Sequence, residues 1–311
     1  MVDNHRAHSD PAHASAAGGV LVVGQIGRDL VISTDRVPDP GASVDVAERL
    51  EMWGGKGANQ AVGMRQLGTP VGLLGVVGED EVGERLLASA RADDIDVRVV
   101  VRRGTSALLV DVVDAEGRRR LFEHVPAEAL LTGGDVYSAR EAVARADTVC
   151  LQLQQPEPAL LEAARLGTAT GADLVLDGAP QTPKVRALVG QARVVRANAH
   201  EGELLTGIAL ESEEAALSAA RGVLDEGVEV VAFGVADAGD LVVWDEGHRF
   251  LPHGPQRVLD PTGAGDAFLA GLVTGLRNGA APAQAGELAA ACAASTVQRL
   301  GGRPDLSALR P

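Results

Sequence analysis

The chain has 311 residues, 46% of them hydrophobic and 23% charged, which is enough to bury one large core. Its formal net charge of −15 leaves no Lys/Arg-rich face to neutralise phosphates, which argues against a nucleic-acid-binding protein. The apolar runs fall short of the roughly 18 residues of a membrane span. The two cysteines lie in apolar segments, as buried thiols of a reducing cytoplasm do. We therefore expect a cytoplasmic protein with neither a nucleic-acid nor a membrane partner.

The first 19 residues are polar and rich in Ala, His and Ser, without the apolar stretch of a secretory signal. Their histidines, His5, His8 and His13, fit a solvated tail better than a metal site. We expect a disordered leader over residues 1–19 and one folded domain over residues 20–311.

From Val20 onward, short apolar runs alternate with helix-period segments. The predicted buried strands are Val20–Val23, Val71–Val77, Thr148–Leu153, Leu174–Leu176, Val194–Val195 and Val230–Phe233. The predicted helices include Gly57–Leu67, Glu84–Arg91, Glu157–Thr168 and Ser212–Leu224. Apolar strands that alternate with helices are typical of a parallel sheet covered on both faces. In such α/β folds, ligands bind at the carboxyl ends of the strands.

Two segments break this pattern, from about residue 31 to 53 and from about 107 to 124. Both alternate polar and apolar residues as exposed antiparallel strands do, and Leu109–Val113 and Arg120–His124 flank a turn. We therefore predict a small separate β-sheet that serves as a lid over a site.

The stretch Asp260-Pro-Thr-Gly-Ala-Gly-Asp266 is followed by apolar residues at helical spacing, so we predict a helix that begins near Gly263. The unpaired N–H groups of a helix start favour a bound anion, and Gly263, Ala264 and Gly265 leave them accessible. Asp266 is then placed to take a proton from a hydroxyl that attacks a phosphoryl group. Taken alone, Asp266 is better explained as a favourable residue of a first helical turn.

The stretch Trp53–Val62 reads Trp-Gly-Gly-Lys-Gly-Ala-Asn-Gln-Ala-Val and contains one of the two lysines of the chain, Lys56. Gly55 and Gly57 permit close backbone approach, and Asn59 offers a donor and an acceptor, as sugar hydroxyls require. In isolation, a glycine-rich helix entry explains this stretch equally well. The stretch has no Ser/Thr after the lysine, which excludes a P-loop ATPase. The chain also lacks Gly-x-Gly-x-x-Gly after its first strand, which excludes a dinucleotide-binding dehydrogenase.

The two stretches lie about 200 residues apart and together resemble the hallmark motifs of the ribokinase-like (PfkB) family of carbohydrate kinases. The similarity runs from about Val20 to Pro304. It implies an α/β fold, a three-layer α/β/α domain with a four-stranded β lid, that transfers the γ-phosphate of ATP to a sugar hydroxyl. Asp266 matches the family's catalytic base, and its anion hole matches Gly263, Ala264 and Gly265.

The resemblance also implies cofactor sites. Asn198 and Glu201 match an Asn-x-x-Glu element that holds Mg²⁺ mostly through water, although a helix cap explains both residues as well. Gly234 and Gly239 match a loop that cradles ATP, and Asn198 and Gly265 contact the nucleotide. A K⁺ site is implied at Asp260, Thr262, Thr296, Arg299, Gly301 and Asp305, several of them through backbone carbonyls.

The sugar site departs from the family pattern. The implied substrate-binding residues are Gly27, Asp29, Gly55, Lys56, Gly57, Asn59, Gln154 and Asp266. Gly27 replaces an asparagine and is expected to leave space for a larger substituent, Gln154 replaces a ribose-binding glutamate, and Ala290 replaces a histidine near the adenine. Phosphoryl transfer is therefore better supported than specificity for ribose.

Three functions remain open. The leading one is an ATP-dependent kinase for ribose or a related furanose. A nucleoside kinase of the same fold is the alternative, because its acceptor also presents a ribose. A catalytically inactive sugar-binding regulator is disfavoured, since it would have no use for the charge at Asp266. A homodimer joined through exposed lid edges is expected from the family.

Overall fold

The computed structural model describes residues 18–311, so the predicted leader, apart from Gly18 and Gly19, lies outside the described residues. The strands are β1 Val20–Val23, β2 Gly27–Ser33, β3 Glu48–Gly54, β4 Val71–Leu74, β5 Val76–Val77, β6 Val101–Arg102, β7 Ala107–Val113, β8 Arg119–His124, β9 Thr148–Gln152, β10 Asp173–Asp177, β11 Val194–Ala197, β12 Val230–Val235, β13 Gly239–Trp244 and β14 Gly247–Pro252. The α-helices are α1 Lys56–Gln66, α2 Glu81–Ala92, α3 Gly133–Ser138, α4 Arg140–Arg145, α5 Glu157–Ala169, α6 Pro183–Arg186, α7 Ala199–Thr206, α8 Glu213–Leu224, α9 Ala264–Arg277 and α10 Pro282–Thr296. Short 3₁₀ helices cover Ala127–Ala129, Val189–Gln191 and Ser307–Leu309.

Eight strands form the large sheet in the order β14-β13-β12-β11-β10-β9-β1-β4. The neighbours from β4 to β12 are parallel, whereas β13 and β14 add an antiparallel edge. Successive side chains of β1 point to opposite faces, so Val20 and Val22 enter one core and Leu21 and Val23 the other. Helices α1, α2, α9 and α10 cover the first face, and α3 to α8 cover the second. The predicted three-layer α/β/α fold is confirmed.

A second sheet has the strand order β3-β2-β7-β8. Strands β2 and β7 are parallel, and β3 and β8 pair antiparallel on either side. Its alternating pattern buries one face, as in β7, where every second residue is buried. The three consecutive arginines at the β7–β8 turn form ion pairs, Arg118 and Arg120 with Asp114 and Arg119 with Asp111.

The sequence-based prediction is wrong in detail at Val71–Val77, which forms two short strands that break at Gly75. A Cβ at Gly75 would lie 2.5 Å from the carbonyl oxygen of Gly24, so the chain bends where it passes the end of β1. Strands β13 and β14 were not predicted as part of the large sheet.

Within residues 18–311, the structure contains no helix of the length and apolar character that crossing a bilayer requires.

Candidate active site

The start of α9 lies at the carboxyl-end side of the large sheet and is shaped by one glycine. Gly263 is the N-cap residue and has φ 75°, in the left-handed region that favours glycine. A Cβ there would lie within 3.0 Å of the Gly302 carbonyl oxygen, so no other residue fits without moving backbone. The helix starts at Ala264, one residue after the predicted start.

This helix start leaves backbone donors available. Ala264 donates to the Pro261 carbonyl at 3.3 Å, but the N–H groups of Gly263, Gly265 and Asp266 form no hydrogen bond with any residue of the described range 18–311. A cleft of about 650 Å³ opens directly in front of them. Its lining includes Asn198, Gly234, Gly239, Pro252, His253, Gly263, Ala264, Gly265, Asp266, Ala290 and Ala294. All the residues predicted to contact a nucleotide therefore line one cleft, with free N–H groups and a positive helix end at its inner wall.

Asp266 is held between two amides of α1. Its Oδ2 accepts from Asn59 Nδ2 and its Oδ1 from Gln60 Nε2, both at 3.1 Å, and only 6% of the residue is exposed. Burial first, then the nearby Asp177 carboxylate, raise the pKa of Asp266 to about 6, against the opposing effects of Lys56 and the two amides. A carboxylate with a pKa near neutrality is well matched to general-base work.

The glycines of the Trp53–Val62 stretch let α1 begin against the end of β1. A Cβ at Gly55 would lie 2.9 Å from the Gln25 carbonyl oxygen, and one at Gly57 only 2.7 Å from the Gly24 carbonyl carbon. This close packing brings Lys56 into the cleft, where its Nζ lies 2.9 Å from Glu201 Oε1. The Lys56 side chain thus connects the glycine-rich stretch to the Asn-x-x-Glu element.

Asn198 and Glu201 form a reciprocal capping box at the start of α7. Asn198 Oδ1 accepts from the Glu201 N–H at 2.8 Å, and Glu201 Oε2 accepts from the Asn198 N–H at 3.0 Å. The geometry therefore confirms that both residues cap this helix. It does not exclude a second role, because the capped end also lines the cleft.

The buried Asp260 carboxylate organises the loop before α9. Its Oδ1 accepts from the Thr262 N–H at 2.9 Å and from the Thr262 hydroxyl at 2.5 Å, and its Oδ2 accepts from the Gly301 N–H at 2.8 Å. The other side chains of the predicted cation site turn elsewhere. Arg299 pairs with Asp305 at the surface, and the Thr296 hydroxyl donates to the Cys292 carbonyl.

The predicted sugar-binding residues come from both sheets. Asp29 on β2 is 3% exposed, and burial first, then the Asp111 carboxylate, raise the pKa of Asp29 to about 7. The expectation of free space at Gly27 is wrong, because a Cβ there would lie 2.6 Å from Leu109 Cδ1. A side chain of the neighbouring strand already fills that position. Gln154 is exposed, and its Oε1 accepts from Gln152 Nε2 at 2.8 Å.

Three buried oxygens near this region have no hydrogen-bond partner within residues 18–311: Asp29 Oδ1, Asn59 Oδ1 and Gln60 Oε1. A buried acceptor left unpaired costs about 1–3 kcal/mol, so such atoms are usually satisfied by a ligand or water. The two amide oxygens only accept hydrogen bonds, and Asp29 Oδ1 does so whenever its carboxyl is ionised, which makes hydroxyl groups suitable partners.

The sequence analysis missed three residues that belong to this network. Gln60 Nε2 bridges Asp266 and Asp177, donating to Asp177 Oδ2 at 2.9 Å, and Arg196 Nη1 donates to Asp177 Oδ1 at 3.1 Å. A signal was present for two of them. Asp177 and Arg196 are charged residues at the ends of apolar strands, where α/β folds place their ligands.

Comparisons with known proteins agree with this geometry. The model of the family described as pfkB family carbohydrate kinase matches residues 18–309. The ribokinase of Staphylococcus aureus (strain COL) is 26% identical over 260 residues, which cover 83% of this chain and 86% of that protein. The structure of Arabidopsis thaliana ribokinase complexed with ribose and ATP aligns with a TM-score of 0.78 and 25% identity, covering 94% of this chain and 98% of that one.

The chain also spans about half of a longer relative. It is 27% identical to the bifunctional ribokinase/ribose-5-phosphate isomerase A of Fructilactobacillus sanfranciscensis, over 83% of this chain and 48% of that protein. The fold, its cleft and these similarities define a carbohydrate kinase. The chain belongs to the pfkB family of carbohydrate kinases.

Proposed function

We propose that this protein transfers the γ-phosphate of ATP to a hydroxyl of ribose or a related furanose, with Asp266 as the general base. The observation that carries the proposal is the placement of the Asp266 carboxylate beside the free N–H groups of Gly265 and Asp266 itself. A proton acceptor and an anion site then meet at one helix start. Purified protein, incubated with ATP and a panel of sugars and nucleosides, should produce ADP in the presence of a furanose.

The unpaired oxygens support a polyhydroxyl acceptor. Asp29 Oδ1, Asn59 Oδ1 and Gln60 Oε1 are buried, and each gains a hydrogen bond if a sugar hydroxyl donates to it. The residues that we assign to the sugar are Asp29, Gly55, Lys56, Gly57, Asn59, Gln154 and Asp266, with Gly27 at the edge of the site. The small sheet, which carries Asp29, is assigned the role of a lid.

For the nucleotide, we assign Asn198, Gly234, Gly239 and Gly265. The described residues contain no cluster of three or more His, Cys, Asp or Glu side chains that could hold a metal ion. Magnesium, which keeps several waters and binds phosphate oxygens, fits such a site if the triphosphate supplies most of its ligands. Asn198 and Glu201 would then hold it through water.

The charge on Asp260 supports a monovalent cation. Asp260 is fully buried, and no Lys, Arg or His of residues 18–311 forms an ion pair with it. A buried carboxylate without a cation is costly, so a weakly hydrated ion such as K⁺ fits this donor set. Backbone carbonyls around Thr262, Thr296, Arg299, Gly301 and Asp305 would complete the site.

Potassium should therefore activate the enzyme. Replacing K⁺ by tetramethylammonium at constant ionic strength should lower kcat, because an ordered loop at Thr262 keeps the N–H groups of α9 aimed at the phosphoryl group. Asp260→Asn keeps the side-chain size and should remove this ion dependence. Steady-state rates in the two salts test the prediction, and equal wild-type rates in both would contradict it.

D-Ribose should be a mediocre substrate, because Gln154 offers one acceptor oxygen, and Gln152 already donates to it. Gln154→Glu adds a charged acceptor. It should raise kcat/KM for D-ribose by up to roughly 10- to 150-fold, the worth of a charged hydrogen bond. The exposed Gln181→Glu is the matched control. A wild-type enzyme that already prefers D-ribose to every other furanose and nucleoside by about tenfold would refute this assignment.

We further propose a homodimer joined through the small sheet. Strands β3 and β8 are its edges in the described part of the chain, and Phe122 on β8 is 61% exposed. An exposed edge strand with a large apolar side chain is a ready surface for pairing with a second copy. Light scattering measures the molar mass in solution. It should give the mass of a dimer for the wild-type protein and that of a monomer for Phe122→Glu.

A further inference from the structure

Arg196 lines the cleft from strand β11, two residues before Asn198 of the Asn-x-x-Glu element. It is 8% exposed, and its guanidinium packs on the backbone of Gly265. A Cβ at Gly265 would lie 2.6 Å from Arg196 Nη1 and closer still to Nη2. The guanidinium and the unpaired N–H groups of α9 therefore border the same small volume.

Most of the hydrogen-bonding capacity of Arg196 is unused. Its Nη1 donates to Asp177 Oδ1, and its remaining N–H groups form no hydrogen bond with residues 18–311. A guanidinium has five N–H donors, and no nitrogen of Arg196 is among the fully buried unpaired atoms of residues 18–311, so its unbonded donors are accessible from the cleft. Accessible donors of a cation in the wall of a cleft favour an anionic ligand.

Charge balance in the cleft gives the same indication. Lys56 and Arg196 are the Lys and Arg side chains among the described residues that line it, and Lys56 is already paired with Glu201. Asp240 and Asp266 also line the cleft and repel phosphates. Arg196 is also paired, with Asp177 through Nη1, but its guanidinium borders Gly265 at the start of α9, which makes it the cation nearest to the free N–H groups.

We propose that Arg196 donates hydrogen bonds to the transferring phosphoryl group and stabilises its charge in the transition state. The inference rests on the proposed kinase function. As the acceptor oxygen bonds to the γ-phosphorus, its proton passes to Asp266, and the broken phosphorus–oxygen bond leaves its electrons on ADP. Charge spreads over the equatorial oxygens during this transfer, where an arginine acts electrostatically and is not consumed.

A merely structural role must be separated from this one. Arg196→Gln alone leaves Asp177 buried without a cation, and Asp177 already raises the pKa of Asp266. A loss of activity in that variant would therefore have two explanations. The double variant Arg196→Gln with Asp177→Asn removes both charges together and leaves two amides that can still bond to each other.

The experiment compares wild type, Asp177→Asn and this double variant in kcat, in affinity for ADP and in thermal unfolding. Asp177→Asn alone measures the effect on kcat of losing the charge that raises the pKa of Asp266. We expect a folded double variant whose kcat is lower than that of Asp177→Asn by roughly 10- to 150-fold, the worth of a charged hydrogen bond, and whose affinity for ADP is unchanged. ADP lacks the transferring group, so the affinity for ADP should not depend on Arg196. If the double variant does not fold, Arg196→Met with Asp177→Asn replaces it.

Two results would overturn the proposal. A kcat in the double variant equal to that of Asp177→Asn would mean that Arg196 only neutralises Asp177. A parallel loss of ADP affinity would mean that Arg196 seats the nucleotide and not the transferring group. Failure of the proposed function itself is a different result, since the wild-type enzyme would then phosphorylate no sugar at all.

Discussion

Asp266→Asn should lower kcat by roughly 10²- to 10⁴-fold, the usual contribution of a general base. Asparagine keeps the size of the side chain, but it cannot accept a proton, and its one oxygen can accept from only one of the two amides of Asn59 and Gln60. ATP affinity should be unchanged or higher, because a negative charge beside the phosphates is removed. Single-turnover rates with saturating ATP and sugar measure the effect. A variant that retains a tenth of the wild-type kcat would show that Asp266 is not the base.

The pH dependence provides an internal control for the same variant. Wild-type activity should fall as pH drops through about 6, where Asp266 takes up its proton. This pKa is raised from 3.8, so the folded state binds the proton more tightly than the unfolded chain, and stability falls as pH rises from about 4 to about 6. Above pH 6, the ionised Asp266 lowers the free energy of unfolding by about 3 kcal/mol, which is about two pKa units at 1.36 kcal/mol each. Asp266→Asn should therefore be more stable than wild type at pH 8, which would exclude misfolding as the cause of lost activity.

The sequence predicted the layers of the fold because burial on both faces leaves a direct signature. The run Val20–Val23 is apolar at every position, and the structure sends its side chains alternately into two cores. The start of α9 could also be predicted, because two glycines followed by apolar residues at helical spacing indicate the start of a helix. The edge strands β13 and β14 escaped prediction, because an edge hairpin has a weaker and more mixed pattern.

The network around Asp266 could be predicted only in part. Asn59 and Asp266 belong to motifs with recognisable spacing, whereas Asp177 and Arg196 meet because β10 and β11 are neighbours in the sheet. Strand adjacency is a property of the topology and cannot be read from either segment alone. Packing is equally hidden, as Leu109 shows by filling the space expected at Gly27. Local patterns gave the identity of the candidate base, and the tertiary structure gave its environment.

Gly263→Ala should abolish most activity although Asp266 is untouched. The substitution introduces a Cβ at φ 75° that would lie within 3.0 Å of the Gly302 carbonyl oxygen, so the first turn of α9 must shift. Loss of one aligned backbone donor in an anion hole costs roughly 10²- to 10³-fold in kcat. We expect a decrease of that size, measured at saturating ATP and sugar.

The other end of the same helix supplies a matched control. Gly279 follows α9, has φ 80°, and a Cβ there would meet nothing within 4 Å. Gly279→Ala should cost about 1–2 kcal/mol of stability, the usual penalty of a left-handed residue, and leave kcat unchanged. The difference between the two variants isolates the contact with Gly302 from backbone strain. If both variants lose stability equally and both keep full kcat, the start of α9 does not bind the phosphoryl group, because its N–H groups will have moved without consequence.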